Sequence, residues 1–139
     1  MSEVEIYAQL SNSMIATGLF AMVWAFLLWV AGRAATVTLE NNGGILMKLA
    51  VTVFGFVGLY QFNLSGSFVA NNFQLAGHSL AVLKESGAEL SSRAEAMIAN
   101  TGASVDVPAF SLMPNWIGIL FILSVGYLVI GRVWLGGDK

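Results

Sequence analysis

Residues 13–32 read SMIATGLFAMVWAFLLWVAG, twenty positions without a single charge. At about 1.5 Å of rise per residue, a helix of that length covers the roughly 30 Å hydrocarbon core of a bilayer. A second apolar run begins at Ile45, after the turn-forming sequence NNGG at 41–44, and continues through ILMKLAVTVFGFVGLYQF to about residue 63. A third occupies 116–135, with Trp116 and Trp134 at its two ends, where aromatic belts of membrane helices lie. The pattern predicts an all-α integral membrane protein with three transmembrane helices, over 13–32, 45–63 and 116–135, in a single membrane domain covering 1–139. Ser2 and Glu5 have capping-box spacing, so the first helix is expected to start near Glu3.

The stretch between the second and third spans has a different rhythm. Phe73, Ala76, Leu80, Leu83, Gly87, Leu90, Ala94 and Met97 recur in alternating steps of three and four, the seam of an amphipathic helix or helical hairpin over 66–98. Gln74, His78, Lys84, Glu85, Ser92, Arg93 and Glu95 fall largely off this seam. The phase can be followed back through Val69, Gly66 and Phe62 to Leu59 and Gly55, so the second helix is expected to continue beyond its span. Reach limits how far. A straight helix over 65–98 rises roughly 50 Å, while the return segment 99–115 stretches at most about 55–60 Å. A break is therefore expected at Ser86-Gly87, with Ser65-Gly66 the next candidate. The segment 99–115, carrying Gly102, Pro108 and Pro114, reads as an irregular return loop.

Two stripes of small or polar residues mark faces for helix packing. Ser11, Gly18, Ala21, Ala25 and Gly32 lie 7, 3, 4 and 7 residues apart along one side of the first helix. Gly55, Gly58, Gln61 and Ser65 fall within about 60° of a common direction on the second. Small residues permit close backbone approach, and polar ones can hydrogen-bond between helices. Three short helices have little contact surface among themselves, so a second stripe implies neighbours. Phe20, Trp24, Leu27, Phe54 and Phe56 lie opposite and suit lipid or partner contact.

Composition agrees with burial in lipid: 57% of the 139 residues are hydrophobic and 10% charged, against about 25% charged in an average soluble domain. The mean hydropathy is +0.76. The first 32 residues hold no Lys or Arg, so the first apolar stretch lacks the basic region of a signal peptide and is expected to remain as an anchor. Arg33 and Lys48 flank the first loop, and Arg132 and Lys139 lie near the C-terminus; with Trp116 and Trp134, Arg33, Lys48 and Arg132 are the expected interface anchors. Lys84 and Arg93 in the long loop are diluted by Glu85, Glu89, Glu95 and Asp106. The positive-inside rule then predicts the N-terminus and long loop outside and the C-terminus inside, in a bacterial inner membrane or a virion membrane.

Site chemistry is sparse. There is no cysteine, and His78 is the single histidine, read as facing solvent. His78, Asp106 and a serine contain the residue types of a hydrolase triad, but no nucleophile-elbow motif accompanies them. No phosphate-binding glycine loop, basic nucleic-acid patch or mid-span charge of the kind carriers use is evident. No catalytic residues, cofactor, metal or small-molecule substrate are expected. The reading is a non-catalytic structural or scaffold subunit, packing with copies of itself or larger partners in a multi-subunit membrane complex or the internal membrane of a lipid-containing virion. The alternative is an oligomeric pore lined by Thr52, Gln61, Asn63 and Ser65 or by Ser124. Three spans with this sidedness in under 150 residues resemble the layout of three-span phage holins, which would imply membrane permeabilisation; the ending GGDK and the long outer loop depart from that group.

Overall fold

The computed structural model describes residues 1–136, and those residues form helices and connecting turns with no strand. In chain order the helices are α1 (Glu3–Glu40), α2 (Ile45–Glu85), α3 (Ser92–Thr101) and α4 (Trp116–Leu135). Within α4, a π-helical turn at Tyr127–Gly131 separates α-helical Trp116–Gly126 from Arg132–Leu135. α1, α2 and α4 are each long and apolar enough to cross a membrane. Gly137, Asp138 and Lys139 lie outside the described residues, and with them the expected basic mark at Lys139.

Local chemistry explains where the helices begin and end. At the start of α1 the Ser2 N–H donates to Glu5 Oε2 at 2.7 Å and the Glu5 N–H to Ser2 Oγ at 3.4 Å, a reciprocal capping box. α1 stops where Asn42 turns left-handed, with φ of +49°. The Gly43 N–H then closes back on the Thr38 carbonyl at 2.7 Å. Glycine is required there, because a Cβ would sit 2.8 Å from Thr38 Cγ2 and 3.1 Å from the Thr38 carbonyl oxygen.

α1 and α2 extend well past the expected spans of 13–32 and 45–63. Hydropathy marks only the part of a helix that suits lipid, whereas the backbone continues wherever packing supports it. α2 passes through Ser65-Gly66 unbroken, with the Ser65 hydroxyl donating to the Gln61 carbonyl at 2.9 Å. It ends at Ser86-Gly87, where Gly87 has φ of +89°. Ser91 then caps α3, accepting from the Ala94 N–H at 3.2 Å, and left-handed Gly102 closes it.

By contact the chain forms two compact units. The first, Met1–Leu19 with Ser67–Leu112, is amphipathic. Ile6, Ala76, Leu80 and Ala94 are buried at its centre, supported by Tyr7, Leu10, Leu83, Leu90, Met97 and Ile98. The second, Phe20–Gly66 with the segment from Met113 onward, is apolar. Its centre is Ala31, Ala35, Val51, Val129 and Val133.

In the amphipathic unit, Glu3 binds the N-terminus of α3. Its carboxylate accepts from the Ser91 hydroxyl at 2.5 Å and the Ser91 N–H at 3.0 Å, in the place where a helix dipole favours negative charge. These bonds, the hydroxyl first, hold the Glu3 carboxyl below the ordinary value of 4.5. A carboxyl lowered on folding stabilises above its unfolded value and loses that contribution as pH falls through the folded one. Protection of the Ser91 amide from hydrogen exchange, corrected for intrinsic rates, is thus expected to decline as pH drops below 4.5. In Glu3→Gln that pH dependence should vanish.

Candidate functional site

The two small-residue stripes behave differently in the structure. On α2, Gly55 and Gly58 are buried inside the apolar unit. A Cβ on Gly55 would lie 2.5 Å from Val129 Cγ1 and 3.3 Å from Ile130 Cγ1, and one on Gly58 would lie 2.9 Å from Leu28 Cδ2. Ser65 is buried too, and Gln61 is half-buried with its Oε1 lacking a partner, as does the Trp24 Nε1. The α2 stripe therefore serves the chain's own packing.

On α1 the stripe is open. Ser11 and Gly18, in the amphipathic unit, are exposed, and a Cβ on Gly18 would meet nothing within 4 Å. In the apolar unit Ala25 is exposed, Ala21 and Gly32 are half-buried, and Gly32 likewise has nothing within 4 Å. The face that α1 turns into this unit carries Leu28, Ala31, Ala35 and Thr38, all buried. Periodicity finds both small-residue faces but cannot tell which one the monomer consumes.

Ala25 and Gly32 open onto a groove of about 580 Å³, bounded also by Trp29 and Thr36 of α1 and by Val125 and Leu128 of α4. Phe62 and Phe121, whose rings stack at 5.1 Å, also line it. Arg33 and Thr36 line it at the C-terminal end of its α1 wall. The Thr36 hydroxyl donates to the Gly32 carbonyl at 3.2 Å and accepts from Arg132 Nη2 at 2.6 Å. A second polar cluster in the same unit ties Trp134 Nε1 to Thr52 Oγ1 at 2.9 Å, with Lys48 Nζ 5.9 Å from the Trp134 ring centroid. Arg132, Trp134 and Lys48 thus take part in helix-to-helix contacts as well as being anchor candidates. Trp116, at the start of α4, is 70% exposed.

The amphipathic seam closes within its own unit. Ala76, Leu80 and Ala94 are buried, Leu83, Leu90 and Met97 pack against them, and the first turns of α1 cover the cluster through Ile6, Tyr7 and Leu10. Phe73, expected on the seam, is 41% exposed and outside the cluster. Gly87 belongs to the turn ending α2. The α1 contribution was missed because Ile6 and Leu10 read as the preface to a membrane span.

His78, expected to face solvent, is half-buried against the return loop, because α2 and the loop meet there. Its Nδ1–H donates to the Ser104 carbonyl at 3.0 Å, beside a cavity of about 200 Å³ that Asp106 also lines. Ser104, His78 and Asp106 are therefore neighbours, but not as a triad. The Ser104 hydroxyl lies 3.5 Å from Asp106 Oδ2 and accepts from the Asp106 N–H at 3.2 Å, while the imidazole bonds a backbone carbonyl. Nucleophile activation needs the imidazole between hydroxyl and carboxylate. Among the described residues no group of three or more potential metal ligands occurs.

The chain matches no known family, curated protein or solved structure. Its functional reading accordingly rests on this geometry: two internally packed units, an α1 face left open, and a groove with a cationic end.

Proposed function

We propose that this chain is a non-catalytic, membrane-spanning subunit that packs through α1 against copies of itself or a larger partner. The observation that carries the reading is the unfilled α1 face at Gly18, beside an α2 stripe already used internally. The low internal burial of the apolar helices supports it. In their most apolar stretches only 11% of α1, 22% of α2 and 11% of α4 is buried within the chain. Lipid covers such surfaces without selectivity, but a face of small residues favours another helix, because close backbone approach is how helices gain contact in lipid. The basic residues support the N-out, C-in orientation: Arg33, Lys48 and Arg132 belong to the apolar unit, whereas the amphipathic unit mixes Lys84 and Arg93 with six carboxylates, Glu3, Glu5, Glu85, Glu89, Glu95 and Asp106.

The pore reading is less favoured. Ser65 and Gln61 turn inward, Thr52 is held by Trp134, Asn63 is half-buried, and only Ser124 is exposed, its hydroxyl donating to the Leu120 carbonyl at 2.8 Å.

Purification in mild detergent tests the subunit reading. The expected result is a stable stoichiometric assembly, and a lone monodisperse monomer would contradict it. Gly18→Leu is expected to lower the assembled fraction severalfold in cross-linking while leaving the monomer's melting temperature unchanged, since the new side chain meets nothing in the monomer. Unchanged cross-linking would remove Gly18 from the partner face.

A further inference from the structure

We infer that the groove along α1 in the apolar unit is the seat of one anionic phospholipid, with an acyl chain lying over Ala25 and Gly32 and its phosphate at Arg33 and Arg132. The inference rests on the membrane-spanning reading above but not on the partner. Three features of the groove converge on this occupant.

Its dimensions fit a lipid tail. The volume of about 580 Å³ lies within the roughly 300–1,000 Å³ of ligand clefts. From Ala25 to Thr36 the wall extends about 16 Å by helix rise, close to half of the roughly 30 Å hydrocarbon thickness. A chain entering at the headgroup level therefore finishes near the bilayer midplane.

Its walls match as well. Away from the cationic mouth the lining is apolar: Ala25, Trp29 and Gly32 on one side, Val125 and Leu128 on the other. Gly32 leaves a gap that no neighbouring side chain fills.

The mouth supplies charge complementarity. Arg33 lines it and Arg132, outside the lining, reaches it through Thr36; among the described residues neither guanidinium has a carboxylate within ion-pair distance. Thr36 fixes Arg132 at this end by accepting from Nη2, while Arg33, three residues from Thr36 on the same helix face, is exposed. Two like charges at the edge of an apolar groove repel unless an anion lies between them, and a phosphodiester accepts guanidinium hydrogen bonds in bidentate fashion. A zwitterionic lipid brings its own cation to the same place.

Native mass spectrometry of the full chain, purified in detergent and offered phosphatidylglycerol or phosphatidylcholine with identical acyl chains, tests the assignment. The wild type is expected to retain one phosphatidylglycerol in preference to phosphatidylcholine. Arg33→Gln should reduce that retention about fivefold, the factor expected for one basic group at an anionic surface. Gly32→Leu should abolish it by filling the groove from an uncrowded position, with Ala25→Leu as a second block should the first variant fold poorly. Equal retention of the two lipids, or undiminished phosphatidylglycerol retention when the groove is filled, would overturn the assignment. So would a chain that retains no lipid but loses a dimer peak in Gly32→Leu, which would make a second copy the occupant. Release of the chain from membranes by alkaline wash would instead refute the membrane-spanning reading, so the two failures are distinguishable.

Discussion

Gly55→Leu is expected to destabilise the apolar unit by about 3 kcal/mol, the upper end of ordinary overpacking costs, read as a lowered midpoint in detergent denaturation. The reason lies in what the new side chain meets. Its Cβ alone would stand 2.5 Å from Val129 Cγ1, before any further carbon is placed. Val129 is β-branched and stiff about χ1, is 2% exposed, and sits on the π-helical turn of α4. A stiff, buried neighbour at that distance yields only at a cost, so the contact between α2 and α4 must shift. Gly58 provides the internal comparison. Its nearest neighbour is Leu28 Cδ2, the far end of a flexible side chain, so Gly58→Ala should cost less than Gly55→Ala. Equal losses at the two sites would show that the α2–α4 contact is not the tight one.

Leu80→Ala is expected to cost about 2–5 kcal/mol, the range for a buried leucine replaced by alanine, and to do so in the amphipathic unit. Leu80 is fully buried and joins α2 to Ile6 of α1 and Ala94 of α3. That core has four buried residues in all, and two of them, Ala76 and Ala94, carry only a methyl group. How far Leu83, Leu90 and Met97, which pack against the cluster, move into the space left decides where in that range the cost falls. Hydrogen exchange should show protection lost in Ser92–Thr101 and the first turns of α1, with Trp116–Gly126 unaffected. Loss of protection throughout the chain would mean that the two units fold as one.

Much of this architecture is legible in the residue pattern because its elements have strong local signatures. Uncharged runs of lipid-spanning length announce α1, α2 and α4, the Ser2/Glu5 box marks the start of α1, and Ser86-Gly87 marks the end of α2. The seam through Ala76, Leu80, Leu83, Leu90, Ala94 and Met97 was readable for the same reason: burial on one helix face imposes a 3.6-residue period. What escaped the pattern depends on contacts between distant segments. Ile6 and Leu10 have no local mark distinguishing them as a cover for that seam. The π-helical turn at Tyr127–Gly131 has no composition of its own, and its role appears only opposite Gly55. Hydropathy cannot bound a helix that outlasts its apolar stretch, as α1 does beyond Gly32.

The candidate site was half legible. Both small-residue stripes could be found by spacing, but which of them the monomer fills is decided by α4, through Val129. The groove was not legible. Its walls come from three helices, and its mouth joins Thr36 to Arg132, 96 residues apart. His78 likewise looked solvent-facing because its partner is a backbone carbonyl in the return loop, which carries no sequence signal.

Single-cysteine labelling tests the proposed membrane-spanning reading and its N-out, C-in orientation most directly. Because the chain contains no cysteine, single cysteines can be placed without background. Val4→Cys, Asn41→Cys and Ala96→Cys occupy exposed positions at the start of α1, in the α1–α2 turn and on α3. In sealed cells, a membrane-impermeant maleimide is predicted to label Val4→Cys and Ala96→Cys directly, and Asn41→Cys only after permeabilisation. Labelling of Asn41→Cys and Ala96→Cys from the same side would contradict the three-span account.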